Sequence, residues 1–291
     1  MPSAPLTVAL TAVTLIAFAA NALLARLALE GPAIDPASYT TLRLASGALV
    51  LWLIVTLSKR PRALAPVSES VRRGRWLSAS MLFLYAITFS VAYLTVEAGT
   101  GALILFGAVQ VTMIGAGILA GHRPNALEWT GLVVAFVGLV YLVSPGLTAP
   151  DPVGAGLMAV AGLAWGVYSL RGRGSSDPVG DTAANFIRAV PFAVAASLIA
   201  VAWLDITARG VWLALASGVV ASGLGYVIWY AALRGLTATR AAIVQLAVPV
   251  IAAAGGVLLL AEPLTWRLTL ASVIVLGGVA LAIVGKGRAR A

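Results

Sequence analysis

Cysteine is absent from this 291-residue chain, and histidine occurs only once, as His122. The chain therefore has no disulfide framework, no thiolate nucleophile and no histidine cluster, and we expect neither a metal nor a cofactor. Charge is also scarce: 10% of the residues are charged, whereas soluble domains carry about a quarter. These absences exclude a water-soluble fold and leave an enzyme without an obvious nucleophile, base or metal.

Apolar residues fill the chain instead. They make up 61% of the sequence, and the mean hydropathy is +1.01. A membrane-spanning helix needs about 20 mainly apolar residues, and the first run lacks a cleavage site of small residues, so we interpret it as a retained helix. The sequence predicts an all-α membrane protein with ten transmembrane helices, at 6–29, 37–57, 76–96, 99–120, 127–144, 153–170, 183–204, 210–233, 238–260 and 267–285.

The net charge of +9, from 19 basic and 10 acidic residues, indicates orientation in a membrane. Cytoplasmic loops carry an excess of Lys and Arg, so we predict that both termini are cytoplasmic and that no nucleic acid is bound. The basic residues on the predicted inner side are Lys59, Arg60, Arg62, Arg72, Arg73, Arg75, Arg123, Arg171, Arg173, Arg234, Arg240, Lys286, Arg288 and Arg290.

The chain resembles itself at an offset of 139 residues. This offset pairs AYLTVEAGTGALILFGAVQV (92–111) with AALRGLTATRAAIVQLAVPV (231–250), and it also aligns Pro124 with Pro263. We therefore predict two repeats, 1–149 and 150–291. Because each repeat holds five spans, an odd number, the two must enter the membrane from opposite sides. Inverted repeats are the architecture of many secondary transporters, which bind substrate near the midplane and work by alternating access.

Three segments carry a resemblance to a known family. They are TLRLASGAL (41–49), GHRPNALEWTGLVVAFVGLVYLV (121–143) and LAEPLTWRLTLASVIVLGGVALAIV (260–284). With the five-plus-five arrangement, they resemble the EamA-type branch of the drug/metabolite transporter superfamily, and most closely its amino-acid exporters, including those that accept aromatic amino acids. The resemblance implies export of amino acids and related metabolites across a bacterial inner membrane.

One residue departs from a related branch of that superfamily. The small multidrug-resistance relatives use a glutamate in their first helix to exchange protons for cationic drugs, and the first helix here offers Asn21 instead. All ten carboxylates fall in predicted loops or at the ends of predicted spans. We therefore expect no buried acid, and transport that is driven by the substrate gradient or only weakly coupled to protons.

Polar and aromatic residues inside the spans are the candidates for a substrate cavity, because polar groups are costly in hydrocarbon. Phe18 and Asn21 match Trp165 and Tyr168 at an offset of 147, and Phe106 and Gln110 match Gln245 and Pro249 at 139. Aromatic stripes on the third and eighth spans complete the predicted lining, which comprises Phe18, Asn21, Tyr85, Phe89, Phe106, Gln110, Trp165, Tyr168, Tyr226, Tyr230 and Gln245.

Three further residues each allow two interpretations. Arg43 and Arg188, early in the second and seventh spans, either recognise a substrate carboxylate or clamp neighbouring helix ends. Pro249 is either a hinge for alternating access or a static bend. Residues near the predicted span ends are typical of an interfacial aromatic belt, namely Tyr93, Trp129, Tyr141 and Trp266.

Together these features favour a transporter of small zwitterionic metabolites, most simply a monomer whose partners are its small-molecule substrate and the lipid bilayer. A nucleotide-sugar or organic-phosphate antiporter is the alternative within transport, although it needs a basic cavity. A membrane receptor that does not transport is the alternative outside it.

Overall fold

The described part of the chain consists mainly of helices. The computed structural model describes residues 3–31, 33–58, 69–121, 125–144, 146, 149–172, 175–236, 241 and 244–288. The helices in this part of the chain are α1 (Ala4–Leu29), α2 (Pro36–Leu57), α3 (Glu69–Ala92), α4 (Ala98–Leu119), α5 (Ala126–Val143), α6 (Pro152–Arg171), α7 (Pro178–Ile199), α8 (Ala208–Leu233), α9 (Ala247–Leu260) and α10 (Trp266–Arg288).

Seven of the described helices are long and apolar enough to cross a membrane, namely α1, α2 and α4 to α8. The shorter apolar helices Trp76–Ala92, Ala247–Leu260 and Trp266–Ala282 lie within α3, α9 and α10. The chain is an all-helical, multi-pass membrane protein in its described residues, while the count of ten spans and the cytoplasmic termini stay predictions. Part of the basic set that predicts the orientation lies outside the described residues: Lys59, Arg60, Arg62, Arg123, Arg173, Arg240 and Arg290.

Aspartate followed by proline begins three of the helices. The side chain of Asp35 accepts hydrogen bonds from the backbone of α2, and those of Asp151 and Asp177 accept from the amides of Gly154 and Gly180 at 2.6 and 3.1 Å. An aspartate at the N-cap satisfies an amide left free by the first turn, and proline fits the first helical position because it has no N–H. These dipeptides fix where α2, α6 and α7 start.

Among the helix boundaries that differ from the sequence prediction, two have a clear local cause. The seventh span, predicted at 183–204, is the helix Pro178–Ile199, because the cap at Asp177 starts it five residues earlier. The third span, predicted to reach residue 96, ends at Ala92, because the next amides bond back in a turn that leads to α4. A hydropathy pattern registers neither a capping residue nor a turn, which explains both differences.

Small residues set how closely the helices approach. On α1 the buried side chains Ala19, Ala22, Ala25 and Ala28 recur every third position. Lipid tails are as apolar as the helix surfaces, so helix association in a membrane depends on close packing of this kind rather than on a hydrophobic effect. Large apolar side chains such as Phe136 on α5 and Ile199 on α7 are exposed on the outside of the fold, where they suit contact with lipid.

The helix pairings follow a regular pattern. Helix α2 packs on α7, α4 on α9 and α5 on α10. Each remaining major pairing has a counterpart five helices away: α3 with α6 and α8 with α1, α4 with α6 and α9 with α1, α3 with α7 and α8 with α2. Replacing every helix by the one five places along the chain therefore gives the same set of major pairings.

Helices α5 and α10 pack backbone against backbone, and Gly278 permits this approach. A β-carbon on Gly278 would lie 2.5 Å from the backbone nitrogen of Ala135 and 2.6 Å from the backbone oxygen of Gly131. Both atoms belong to the backbone, so no side-chain movement would relieve the clash. The neighbouring Gly277 has nothing within 4 Å of the same position.

We predict that Gly278→Ala lowers the free energy of unfolding by about 1–3 kcal/mol, the usual effect of overpacking, because it forces α5 and α10 apart. Gly277→Ala is the matched control and should leave stability unchanged or slightly raised. Thermal unfolding of the two variants in the same detergent compares them. Equal melting temperatures for both would contradict close α5–α10 packing through this surface.

Candidate substrate cavity

A cavity lies among six helices. Its wall combines aromatic rings, two amides and small apolar side chains, and none of the lining residues carries a charge. The lining residues come from α1, α3, α4, α6, α8 and α9 or from the links next to them: Phe18, Asn21, Ala22, Tyr85, Phe89, Tyr93, Ala102, Leu105, Phe106, Trp165, Tyr226, Gln245 and Val248. The contributing helices form three pairs that are five places apart in the chain.

Trp165 stands at the centre of the aromatic wall. Its ring centroid lies 4.9 Å from that of Tyr85, 5.2 Å from that of Tyr168 and 5.5 Å from that of Tyr226. The cavity volume that water can occupy between the rings is about 40 Å³, which is room for roughly three water molecules. A larger solute would therefore enter only if some of these rings moved.

The structure brings most of the predicted lining together. Eight of the eleven residues line this one cavity: Phe18, Asn21, Tyr85, Phe89, Phe106, Trp165, Tyr226 and Gln245. Tyr168 lies behind Trp165, against which it stacks, and the Tyr230 hydroxyl is hydrogen-bonded to Thr182 at 2.9 Å. Gln110 lies one turn beyond Phe106 on α4, outside the lining set. The role of all eleven in transport stays a prediction.

Asn21 is held by an unusual stretch of α8. Between Ser217 and Leu224 this helix is a π-helix, a feature that is rare and often found at functional sites. The Asn21 amide nitrogen donates to the carbonyl of Ala221 at 3.2 Å, and its oxygen accepts from the hydroxyls of Ser217 and Ser222 at 2.8 and 3.3 Å. The π-helix thus fixes one amide of the cavity wall.

Arg43 lies directly behind this wall. It is 2% exposed and is the largest fully buried side chain among the described residues. Its Nη2 donates to the hydroxyl of Tyr85 at 2.9 Å, and its Nε donates to the hydroxyl of Ser222 at 3.3 Å. The guanidinium carbon also lies over two rings of the cavity wall, 5.2 Å from the Tyr85 centroid and 4.9 Å from that of Phe89.

The other ambiguous residues occupy different settings. Arg188 is only partly buried, and its Nη1 donates to the carbonyl of Ala184 on the same helix at 3.0 Å. The two arginines therefore occupy different environments, and of these two Arg43 adjoins the cavity. Pro249 lies in the first turn of α9, which begins at Ala247, and not in the middle of a helix spanning 238–260. The helical chain is interrupted at Leu246, before the proline.

Sequence reasoning missed or misplaced three residues. Tyr93, expected in an interfacial belt, is fully buried and lines the cavity. Ser217 and Ser222 were not among the predicted site residues, and both are hydrogen-bonded to Asn21. A π-helix brings side chains together at spacings that a 3.6-residue pattern does not reveal, so the sequence held no readable signal for the serines.

The expectation that no acid is buried is wrong. Asp35 and Glu128 are buried, and the side chain of Glu262 is 8% exposed. All three stand at helix ends and in links, as predicted, but the packing of the neighbouring helices covers them. None of them belongs to the cavity lining.

Glu262 connects three parts of the chain at one end of the bundle. Both of its oxygens accept from the backbone amide of Ala98, at 2.9 and 3.0 Å, so it caps α4 from 164 residues away. One oxygen also lies 3.4 Å from Nε of Arg26 on α1. Arg26 in turn donates to the carbonyls of Tyr93 and Leu94, at 3.0 and 3.2 Å, just after α3.

Burial raises the pKa of the Glu262 carboxyl above its ordinary value of 4.5, although the Ala98 amide and Arg26 act to lower it. Burial also raises the pKa of Glu97, which Arg26 and a hydrogen bond from Thr100 oppose. Two acids beside one arginine thus hold protons at a higher pH than exposed glutamates do. Because their proton is bound more tightly in the folded protein, their contribution to stability is complete below pH 4.5 and is lost as the pH rises through the raised pKa.

We predict that wild-type protein loses thermal stability as the pH rises from about 4.5 to neutral, and that Glu262→Gln flattens this dependence. The amide oxygen of glutamine can still accept from Ala98, so the cap is retained while the charge is removed. Melting temperature against pH provides the measurement. Glu30→Gln removes a carboxylate that pairs with the same arginine but has a side chain 50% exposed, and it should follow the wild-type curve.

Comparisons with known proteins agree with this architecture. A family model described as "EamA-like transporter family" matches residues 152–284. A solved crystal structure of a protein with 20% identity superposes with a TM-score of 0.62, covering 93% of this chain and 95% of that one. At that identity the likeness shows the fold alone.

Relatives extend over nearly the whole chain. "Uncharacterized protein PA1977" of Pseudomonas aeruginosa is 50% identical over 284 residues, 97% of this chain and 96% of that protein. "Uncharacterized transporter YoaV" of Bacillus subtilis is 25% identical over 84% of this chain and 86% of its own length. An "Uncharacterized transporter" of Archaeoglobus fulgidus is 24% identical over 86% of this chain and 89% of its own length. With its helical membrane fold, the chain belongs to the EamA-like transporter family of the drug/metabolite transporter superfamily.

Proposed function

We propose that this protein exports small zwitterionic metabolites, in the first place amino acids including aromatic ones, by alternating access at the cavity. The observation that carries the proposal is the cavity itself. Three helices from residues 1–149 (α1, α3 and α4) and the three helices five places later in the chain (α6, α8 and α9) enclose an aromatic and amide wall. A site between two halves of a transporter is where a rocking motion can expose a bound solute to either side.

The helix pairings support the two-repeat arrangement that this mechanism needs. The major pairings are unchanged when each helix is replaced by the one five places along, which is what two structurally similar halves, 1–149 and 150–291, would give. Five spans per half would give the halves opposite orientations in the membrane, with both termini in the cytoplasm of a bacterial inner membrane. One chain holds both halves, so a monomer suffices.

The chemistry of the wall favours a neutral zwitterion. Rings such as Trp165 and Tyr226 offer apolar area and a negative face for an ammonium group, and Asn21 and Gln245 offer amides. Among the described lining residues there is neither a carboxylate to hold a cationic drug nor a cluster of basic groups to hold a phosphate. The proposed substrate therefore combines an apolar side chain with charges that balance.

Uptake into proteoliposomes tests the proposed function. We expect labelled phenylalanine to accumulate to equilibrium down its own gradient, to be competed by other amino acids, and to be unaffected by an imposed pH gradient. Competition by an organic phosphate and not by amino acids would support the phosphate antiporter instead. No uptake of any compound in the panel would favour a receptor.

Trp165→Ala should reduce this uptake at least about tenfold, because it removes ring contacts worth about 0.5–1.5 kcal/mol each. Trp165→Phe should retain part of the activity, since a ring remains between Tyr85 and Tyr226. Trp203→Ala is the matched control, because that side chain is 74% exposed outside the cavity. Equal initial uptake rates for the alanine variants at positions 165 and 203 would show that the substrate does not use this wall.

A further inference from the structure

Arg43 carries a buried charge that no acid in the described chain neutralises. Both ion pairs in that part of the protein belong to Arg26, and Nη1 of Arg43 is buried without any hydrogen bond. A guanidinium stays protonated in proteins, and a buried charge is costly unless it is paired. Its actual partners, a tyrosine hydroxyl, a serine hydroxyl and two ring faces, supply dipoles but no negative charge.

Two aromatic side chains lie between the cavity and this guanidinium. Tyr85 and Phe89 line the cavity and also lie against the guanidinium of Arg43. A second route is polar, because the Ser222 hydroxyl accepts from Arg43 and donates to Asn21, which lines the cavity as well. Displacement of the two rings would therefore bring a bound solute into contact with the free Nη1.

The missing counter-charge identifies the chemistry of the ligand. Guanidinium groups bind carboxylates through two parallel hydrogen bonds. In Arg43, Nη1 makes no hydrogen bond, and Nη2 donates to a neutral hydroxyl that an anion can replace. A single arginine balances one negative charge, and none of the described lining residues is basic. A carboxylate fits this site better than a phosphate dianion.

We propose that Arg43 recognises the carboxylate of the transported substrate, and that Tyr85 and Phe89 move aside to admit it. This inference deepens the proposed function and rests on it. The substrate carboxylate would break the Tyr85 hydrogen bond to Arg43, and its ammonium group would lie against the rings of Trp165 and Tyr226. Compounds that lack a carboxylate should then bind poorly, whatever their side chain.

Binding of matched compounds tests the proposal directly. Isothermal titration of the purified full-length protein would use phenylalanine, phenethylamine, which lacks the carboxylate, and phenylalanine methyl ester, which masks it. We expect phenylalanine to bind at least about tenfold more tightly than the other two, as the loss of a hydrogen bond to a charged group implies. Arg43→Met should abolish that preference, Arg43→Lys should keep part of it, and the exposed Arg209→Met should keep all of it.

A second readout distinguishes recognition from a structural role without any ligand. If Arg43 is retained for a substrate, its burial costs stability, so Arg43→Met should melt at the same temperature as the wild type or higher. If Arg43 clamps α2 to α3 and α8, the same variant should melt lower. A lower melting temperature together with unchanged ligand preference would overturn the proposal.

The ligand panel also separates this proposal from the proposed function. Simple aliphatic and aromatic monocarboxylates are included beside the amino acids. Binding of these acids alone, lost in Arg43→Met, would support the role of Arg43 and overturn transport of amino acids. Equal binding of phenylalanine and phenethylamine would overturn the role of Arg43 and leave transport intact.

Discussion

A buried polar group in a membrane protein must find its partners inside the protein, because hydrocarbon offers none. Around the cavity this constraint is met for Asn21, whose amide bonds to the carbonyl of Ala221 and to two serine hydroxyls. All three partners belong to the π-helix in α8, which therefore directs one carbonyl and two hydroxyls toward a single side chain. Arg43 lies one step further from the cavity, and its Nη1 is buried without a hydrogen bond. The amide has all its partners within the protein, whereas the guanidinium lacks one. This contrast is the basis for the proposed hydrogen bond from Arg43 to a substrate.

The same constraint explains the shape of the wall. Tyr85 contacts both Arg43 and the cavity wall, because its hydroxyl accepts a hydrogen bond from Arg43 while its ring contacts Trp165. With the rings in this position the cavity admits little more than water. In the proposed mechanism, ligand entry, movement of the rings and exposure of the guanidinium are therefore one linked event. At one end of the bundle, Glu262 and Arg26 join α1, the start of α4 and the link between α9 and α10, so a movement that opens that end must break a buried ion pair.

Much of this could be predicted from sequence, because it depends on local pattern. Long apolar runs marked the helices, and self-alignment brought Phe18 together with Trp165 and Phe106 together with Gln245, all of which line the cavity. The rest depends on distant contacts. Glu262 caps a helix 164 residues away, and Ser222 reaches Asn21 through a helical register that the 3.6-residue repeat does not contain. The start of α7 depends on the cap at Asp177 and on Pro178, which a hydropathy pattern does not register.

In the proposed mechanism, a substrate carboxylate completes the hydrogen bonding of Arg43 inside an aromatic cavity. An experimental structure of the protein with phenylalanine bound is the decisive measurement. We expect the carboxylate within hydrogen-bonding distance of Arg43 Nη1, with Tyr85 and Phe89 displaced from the positions described above. A ligand bound in the cavity with its carboxylate turned away from Arg43, and with both rings unmoved, would contradict it.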